Sequence, residues 1–170
     1  IMKKNEKKVI NKKGKSRRSF LELALTGTAA VSALSLGLTK DLYAAPSGPI
    51  VIGHQCELTG GFSSWGYWHD KCAKAAVKII NEGGGIAGRK VELATEDTES
   101  NPAAGSRKLR SLIERRKASF VVGSVHSGIM LASIPIATEL KTPYFSAGEA
   151  TEATGSKGSR YSFRTGTDTY

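Results

Sequence analysis

From Ile50 onward the chain alternates short β-branched runs with longer stretches of helical periodicity, and this alternation restricts its fold more than any other feature. Ile50-Val51-Ile52-Gly53 is apolar on both faces, as a strand inside a parallel sheet must be. Between about Trp65 and Asn81, Ala73, Ala76, Val77 and Ile80 recur at i, i+3, i+4 and i+7, with Lys71, Lys74 and Lys78 opposite. That spacing predicts an amphipathic helix with one core face, ended by the permissive backbone of Gly83-Gly84-Gly85. Lys90-Val91-Glu92-Leu93-Ala94 alternates strictly and reads as a second strand. Asn101-Pro102 supplies a cap and a first helical residue for a second helix, with Leu109, Leu112 and Ile113 inward and an end near Arg116. Phe120-Val121-Val122 is a third strand. Ile129, Ala132, Ser133, Ile136, Ala137 and Leu140 trace a third helix, with Pro135 expected in its first turn or at a bend. Pro143-Tyr144-Phe145 and Tyr161-Ser162-Phe163 read as the fourth and fifth strands.

Such an order predicts an α/β fold, a parallel sheet in a three-layer, Rossmann-like arrangement. Right-handed crossovers place the loops after the strands on one edge, where ligands of these folds bind. Residues 54–66, 95–101, 123–130 and 146–160 are thereby nominated as the site before any chemistry is considered.

The net charge of +10 raises the question of a polyanionic partner. Ten of the Lys/Arg, against three Asp/Glu, fall within residues 1–45, whereas residues 46–170 hold fifteen against twelve. The second part has mixed signs and no basic run longer than Arg115-Arg116-Lys117, so no nucleic-acid partner is expected. The first part has the layout of a signal peptide: a basic tract from Lys3 to Lys15, an apolar stretch to about Leu38, and small residues at Ala44-Ala45. Ser16-Arg17-Arg18-Ser19-Phe20-Leu21 is similar to a twin-arginine export signal. A membrane anchor is the rival, weakened by Glu22 and the cleavage-like end. The expectation is a cleaved leader over residues 1–45 and a periplasmic mature protein. Because Ile1 precedes Met2 and the chain stops just after a strand-like stretch, a truncated gene product is also expected.

In that compartment Cys56 and Cys72 either pair or remain as free, half-buried thiols. Enzyme signatures are missing. Leu58-Thr59-Gly60-Gly61-Phe62-Ser63-Ser64-Trp65-Gly66 lacks the dinucleotide-binding spacing, and neither a phosphate-binding loop nor a nucleophile elbow occurs, so no cofactor and no catalysis are expected. His54-x-Cys56 and His69-x-x-Cys72 have irregular spacing for zinc, and His69 lies on the apolar stripe of its helix, where a packed histidine is the simpler account. Ser127 and Gly128 fall where the third strand gives way to the third helix, and amides there favour an anion such as a carboxylate. The Ser127 hydroxyl either caps that helix or donates to a ligand. Glu149-Ala150-Thr151 offers carbonyls, a carboxylate and a hydroxyl; Trp65 and Tyr67 supply aromatic wall, and Trp68 suits the core.

From about Pro49 to the end, these residues resemble the type I periplasmic binding proteins of branched-chain amino-acid ABC importers, the Leu/Ile/Val-binding group. The motifs are Leu58-Thr59-Gly60, Ile80-Asn81-Glu82-Gly83-Gly84-Gly85-Ile86-Ala87-Gly88-Arg89-Lys90-Val91, Glu96-Asp97 before Asn101-Pro102, Val122-Gly123-Ser124, and Phe163-Arg164-Thr165. The resemblance implies two α/β lobes closing over a ligand at a hinge. Residues 46–170 would be most of the first lobe, incomplete, with the second lobe absent. It implies a substrate-binding component that captures an amino acid, amide or related carboxylate and delivers it to a membrane permease, as a monomer when full length. Ser127 and Thr151 match the hydroxyls that hold the ligand's α-carboxylate or ammonium, Glu149 the position whose carbonyl accepts from the ammonium, and Trp65 the flanking aromatic. Two departures stand out: Glu149 replaces a usually small residue, and His126 adjoins Ser127. They suit a cationic or amide-bearing ligand, or else face solvent. A periplasmic sensor of the same fold and a periplasmic α/β enzyme are the alternatives.

Overall fold

The first strand, β1 (Ile50–Cys56), is longer than its β-branched run, because His54, Gln55 and Cys56 continue it as buried residues instead of entering a loop. The computed structural model describes residues 48–168, and the leader expected over residues 1–45 lies outside them. After β1 come α1 (Ser63–Glu82), β2 (Val91–Asp97), α2 (Pro102–Glu114), β3 (Phe120–Gly123), α3 (Ser127–Glu139) and β4 (Tyr144–Ser146). A short 3₁₀ turn (Thr151–Ala153) and β5 (Ser162–Arg164) complete the order. Among the described residues no helix is long and apolar enough to cross a membrane.

The strands form one parallel sheet in the order β2-β1-β3-β4-β5, the α/β arrangement the alternation predicts. β1 pairs with β2 from Ile50↔Val91 to Cys56↔Asp97, and with β3 from Ile52↔Phe120 to Gln55↔Gly123. The chain therefore leaves β1 on one side for β2, then crosses back over β1 to β3. In such sheets the connections diverge above that reversal and leave a crevice at the strands' carboxyl ends.

Successive side chains of a strand point to opposite faces, and β1 shows which helices cover which. Gly53 and Gln55 face α2 and α3: a Cβ on Gly53 would meet Leu112 at 3.3 Å, and the Gln55 amide reaches Ser133. His54 and Cys56 face α1, whose Gly66 carbonyl accepts from the Cys56 thiol at 3.2 Å. The main core lies on the α2/α3 side, built from Leu109, Leu112, Val121, Met130, Ile134 and Tyr144.

Several local expectations hold. The Asn101 side chain accepts from the amides of Ala103 and Ala104 at 2.9 and 3.0 Å, with Pro102 first in the helix. Others need correction. Pro135 lies well inside α3, which excludes the first turn and leaves the other place expected of it, a bend. The core face expected of α1 is shallow: Ala73, Val77 and Ile80 are half-buried, Ala76 is exposed, and Gly66 alone is buried among the helix residues. The cause is geometric, since α1 packs over β1 and β2 only. Beyond it, Phe120, Phe145 and Phe163 form an aromatic ladder across β3, β4 and β5, at ring-centroid separations of 6.0 and 4.9 Å. The cysteines are both free. Cys56 is buried, which pushes its thiol up to about 12, and Cys72 is exposed.

Inside the α2/α3 layer one polar side chain organises the packing. The Gln55 Nε2 donates to the Gly105 carbonyl at 2.7 Å and to Ser133 Oγ at 3.0 Å, while its Oε1 accepts from the Tyr144 hydroxyl at 2.7 Å. Replacing Gln55 with Leu keeps the volume but removes the partner that the buried Tyr144 and Ser133 hydroxyls share. Q55L should therefore destabilise the fold by about 2–5 kcal/mol in urea unfolding, more than a neutral polar-to-apolar exchange would.

Candidate functional site

The crevice above β1 and β3 is built from loops whose positions are fixed by side-chain-to-backbone hydrogen bonds. Asp97, at the end of β2, accepts from the amides of Leu58 and Thr59 at 3.0 and 3.2 Å, from the Thr59 hydroxyl at 2.7 Å, and from the Glu99 amide at 2.9 Å. Burial alone would raise the Asp97 carboxyl. The hydrogen bonds from Thr59, Glu99 and Leu58 outweigh it and hold the group below the usual carboxylate range. Ser100 adds a second latch, accepting from the Phe62 amide at 3.0 Å and donating to the Thr59 carbonyl at 2.8 Å. Together these residues tie the first loop to the second and aim Phe62 and Trp65 at the crevice.

Beneath that loop Glu57 is fully buried. Its Oε1 accepts from the Ser124 hydroxyl at 2.7 Å, which links the end of β1 to the turn after β3. Glu57 Oε2 and the nearby Thr98 hydroxyl have no hydrogen-bond partner among the described residues. The chain passes over Glu57 so closely that a Cβ on Gly66 would lie 1.9 Å from the Glu57 carbonyl oxygen. Only glycine fits there.

The third and fourth loops are stitched in the same way. Ser146 Oγ donates to the Ser124 carbonyl at 2.8 Å, and the Ser127 hydroxyl accepts from the Glu149 amide at 3.1 Å. Ser127 is thus not the helix cap. His126 is: its Nδ1 accepts from the Gly128 amide at 3.0 Å, and its ring centroid lies 4.6 Å from that of Phe62. Ala150 is buried, and the Thr151 hydroxyl donates to Asp168 at 2.7 Å. Asp168 also pairs with Arg164, whose Nη2 lies 3.0 Å from its Oδ2.

A cleft of about 360 Å³ results. Phe62, Trp65 and His69 form one wall, and Val125, Ala147 and Glu149 the other; Gly166 and Thr167 close one end. Of the residues picked from sequence, Trp65 and Glu149 line this cleft directly. His126, Ser127 and Gly128 support it from the start of α3, and Ala150 and Thr151 stand behind Glu149 on the same rim. Tyr67 and Trp68 do not take the places expected of them. Tyr67 is 52% and Trp68 63% exposed outside the cleft, with the Lys71 ammonium 4.4 and 5.6 Å from their ring centres. Phe62, Val125, Ala147, Gly166 and Thr167 were missed. Phe62 alone carried a signal, as an aromatic in the nominated first loop. Another hollow, of about 380 Å³, is lined by residues between Ala153 and Ser162, at the start of β5, and shares no residue with the cleft.

His69, expected to be packed, is half-buried in the cleft wall. His54 lies under α1 with Nδ1 3.2 Å from Thr95 Oγ1, and burial lowers it to about 4, so the ring is neutral at pH 7. Among the described residues no group of three or more His, Cys, Asp or Glu side chains is placed to hold a metal.

A parallel sheet with a ligand-sized cleft over its topological switch defines a class of solute-binding α/β domains. Comparison with known proteins then names the family. The model for periplasmic binding proteins matches residues 49–170. The chain belongs to that family, as a type I periplasmic binding protein. It is 26% identical over 135 residues to Leu/Ile/Val-binding protein homolog 8 of Brucella abortus, covering 79% of this chain and 33% of that one. A solved substrate-binding protein LivJ of a branched-chain amino acid transporter from Streptococcus pneumoniae, in complex with isoleucine, is 31% identical with a TM-score of 0.66. That match covers 71% of this chain and 34% of the other. An ABC-transporter solute-binding protein from Rhodopseudomonas palustris, in complex with 3,4-dihydroxybenzoic acid, is 28% identical with a TM-score of 0.62, covering 71% and 32%. The chain spans about a third of the length of these relatives.

Two outcomes test the construction of the cleft. Gly66→Ala should lift the first turn of α1 from β1 and cost about 1–3 kcal/mol, as overpacking does, measured by thermal and urea unfolding. The folded-state carboxyl of Asp97 is depressed, so its contribution is complete above about pH 4, the unfolded value, and is lost as pH falls through the lower folded value. Wild type should accordingly be more stable than D97N at pH 7, with the gap narrowing below about pH 4 in pH-resolved unfolding.

Proposed function

We propose that this protein is the substrate-binding component of an ABC importer and captures a small amino-acid-like, amide or carboxylate solute in the periplasm. The observation that carries the reading is the one-sided cleft. Loops from β1, β3 and β4 meet there, with an aromatic wall that leaves Trp65 62% exposed. An indole so placed, on a rigid loop beside Ser127 and Glu149, is a surface waiting for an opposing wall. In this reading residues 1–45 are an export signal of the twin-arginine type. Residues 46–170 are the first lobe, and a second lobe supplies the opposite contacts. The half-covered ladder of Phe120, Phe145 and Phe163 supports it, because a parallel sheet is stable only with both faces covered. Naming of the relatives as Leu/Ile/Val-binding and solute-binding proteins supports it as well.

In this reading capture has two stages. Solute docks first on the exposed lobe, where Ser127 donates its hydroxyl proton while still accepting from the Glu149 amide, and where carbonyls of the 149–151 segment accept. Closure of the second lobe adds contacts present only in the closed state, and those differential contacts shift the population toward it. The closed form is what a membrane permease recognises. The solute leaves chemically unchanged.

The test is a thermal-shift screen of the full-length protein against amino acids, amides and aromatic acids. At least one should raise the melting temperature, and mass spectrometry should recover it unaltered. Ser127→Ala should weaken that ligand about 10- to 100-fold, the loss of one hydrogen bond to a charged group. A flat screen would reject the capture reading; unaltered affinity in S127A would remove Ser127 from the site.

A further inference from the structure

We infer that the amino edge of the sheet, opposite the cleft, is a docking surface for a phospholipid membrane with anionic headgroups. What the cleft binds does not enter into this.

Each segment that enters β2, β3, β4 or β5 brings Lys or Arg to that edge and no acid. Lys90 precedes β2, Arg115-Arg116-Lys117 precede β3, Lys141 precedes β4 and Arg160 precedes β5. Main-chain hydrogen bonds hold these segments side by side. The Ile50 amide donates to the Lys90 carbonyl and the Ser119 amide to Val51, both at 2.8 Å. The amides of Val121 and Tyr144 donate to the carbonyls of Pro143 and Tyr161 at 2.9 and 2.8 Å. All six cations are exposed, and none has an ion-pair partner among the described residues. The acids that end the helices on this side, Glu82, Glu114 and Glu139, are answered by Lys78 and Arg110 instead. Segments leaving the strands show the reverse: residues 57–62, 98–101 and 147–150 hold Glu57, Glu99 and Glu149 and neither Lys nor Arg. The parallel sheet thus sorts charge between its two ends.

Helix dipoles explain only part of this sorting. α1, α2 and α3 all run back to the amino edge, yet none of them has a base in its last turn. Each helix end amounts to about half a negative charge, so three ends answer fewer than two of the six cations. The surplus is open to a partner.

The spread of the charges says what kind. With neighbouring strands about 4.8 Å apart, five strands place these cations across about 20 Å, on four separate loops. A plane of mobile headgroups can answer all of them at once, each Lys or Arg adding attraction within a Debye length. Two exposed isoleucines lie on the same edge: Ile79 in the last turn of α1 is 67% exposed, and Ile86 in the turn before β2 is 41% exposed. Cations beside exposed apolar side chains suit the boundary between headgroups and acyl chains. A soluble acidic chain has nothing to cover an isoleucine. Docked by this edge, the domain turns its cleft away from the bilayer.

Co-sedimentation of the full-length protein with vesicles tests the surface. Vesicles of phosphatidylglycerol mixed with phosphatidylcholine should carry the protein down at low salt; phosphatidylcholine alone, or high salt, should not. The triple variant R115Q/R116Q/K117Q should weaken the binding about tenfold or more, and K141Q/R160Q, on other loops, about threefold or more. A matched triple, K71Q/K74Q/K108Q, removes the same charge from the middle of α1 and α2 and should weaken it less than about threefold, since those side chains lie off the docked edge. Unshifted melting temperatures are the control for folding in all three variants. Poly-glutamate of equal negative charge should leave most of the protein on the vesicles. No binding to phosphatidylglycerol vesicles, or equal binding by the two triple variants, would overturn the surface. Complete release by poly-glutamate would make a soluble acidic chain the partner and overturn the membrane assignment.

Discussion

Gln55 is where the sheet and the cleft are joined. Its backbone carbonyl accepts from the Ser124 amide at 2.8 Å, which sets the turn after β3. Its side chain holds α2, α3 and β4 through Gly105, Ser133 and Tyr144. Gly123 crosses so close that a Cβ there would lie 2.1 Å from the Gln55 carbonyl oxygen, and its φ of +117° belongs to glycine. A buried amide with all its valences used fixes orientation more sharply than an apolar side chain could, because each bond has a direction and leaving any unmade is costly. The four elements that carry the site are thereby registered to one another before any ligand is present.

From that anchor the loops inherit their places. Asp97 and Ser100 hold the first loop to the second, Glu57 and Ser124 hold the first to the third, and Ser127 and the Glu149 amide hold the third to the fourth. Each latch is a side-chain oxygen meeting a main-chain group or another side chain across the carboxyl edge of the sheet. Parallel topology makes this possible. All five strands end on the same side, so short polar side chains at successive strand ends are neighbours in space though far apart in sequence.

The fold was legible because apolar periodicity reports burial, and burial of strands and helices is what the sheet requires. The Asn101 cap was legible because side chain and spacing identify it locally. The latches were not. Gln55 and Glu57 look like the onset of a solvated loop, since a polar residue after an apolar run is usually exposed, and nothing local announces Ser133 or Ser124 as partners. His126 escaped as a cap because imidazole is not among the usual capping side chains, although its Nδ1 can accept as a hydroxyl oxygen does. Trp68 was misplaced for the converse reason. Its size suggests a core residue, yet α1 has sheet on one side only, and the indole points away from it. Of the cleft, the aromatic and carboxylate extremes, Trp65 and Glu149, could be picked out. The small lining residues Ala147 and Gly166 could not, because they contribute shape and no chemistry.

The stiffness of this edge and the openness of its cleft belong together. A binding surface that had to reorganise on each encounter would spend part of the ligand's contact energy on its own ordering, and affinity would fall accordingly. Here Trp65 is carried on the first turn of α1, which rests directly on the Glu57 carbonyl at Gly66. Glu149 is held at its amide by Ser127. The two walls therefore stand at a fixed separation with their ligand-facing groups exposed, and binding leaves little for this side to rearrange. Under the proposed capture, any large motion would then come from the second lobe. A rigid, half-open platform can report occupancy only through contacts it shares with a moving partner, so in that proposal closure, rather than first contact, is the step at which the correct solute is distinguished.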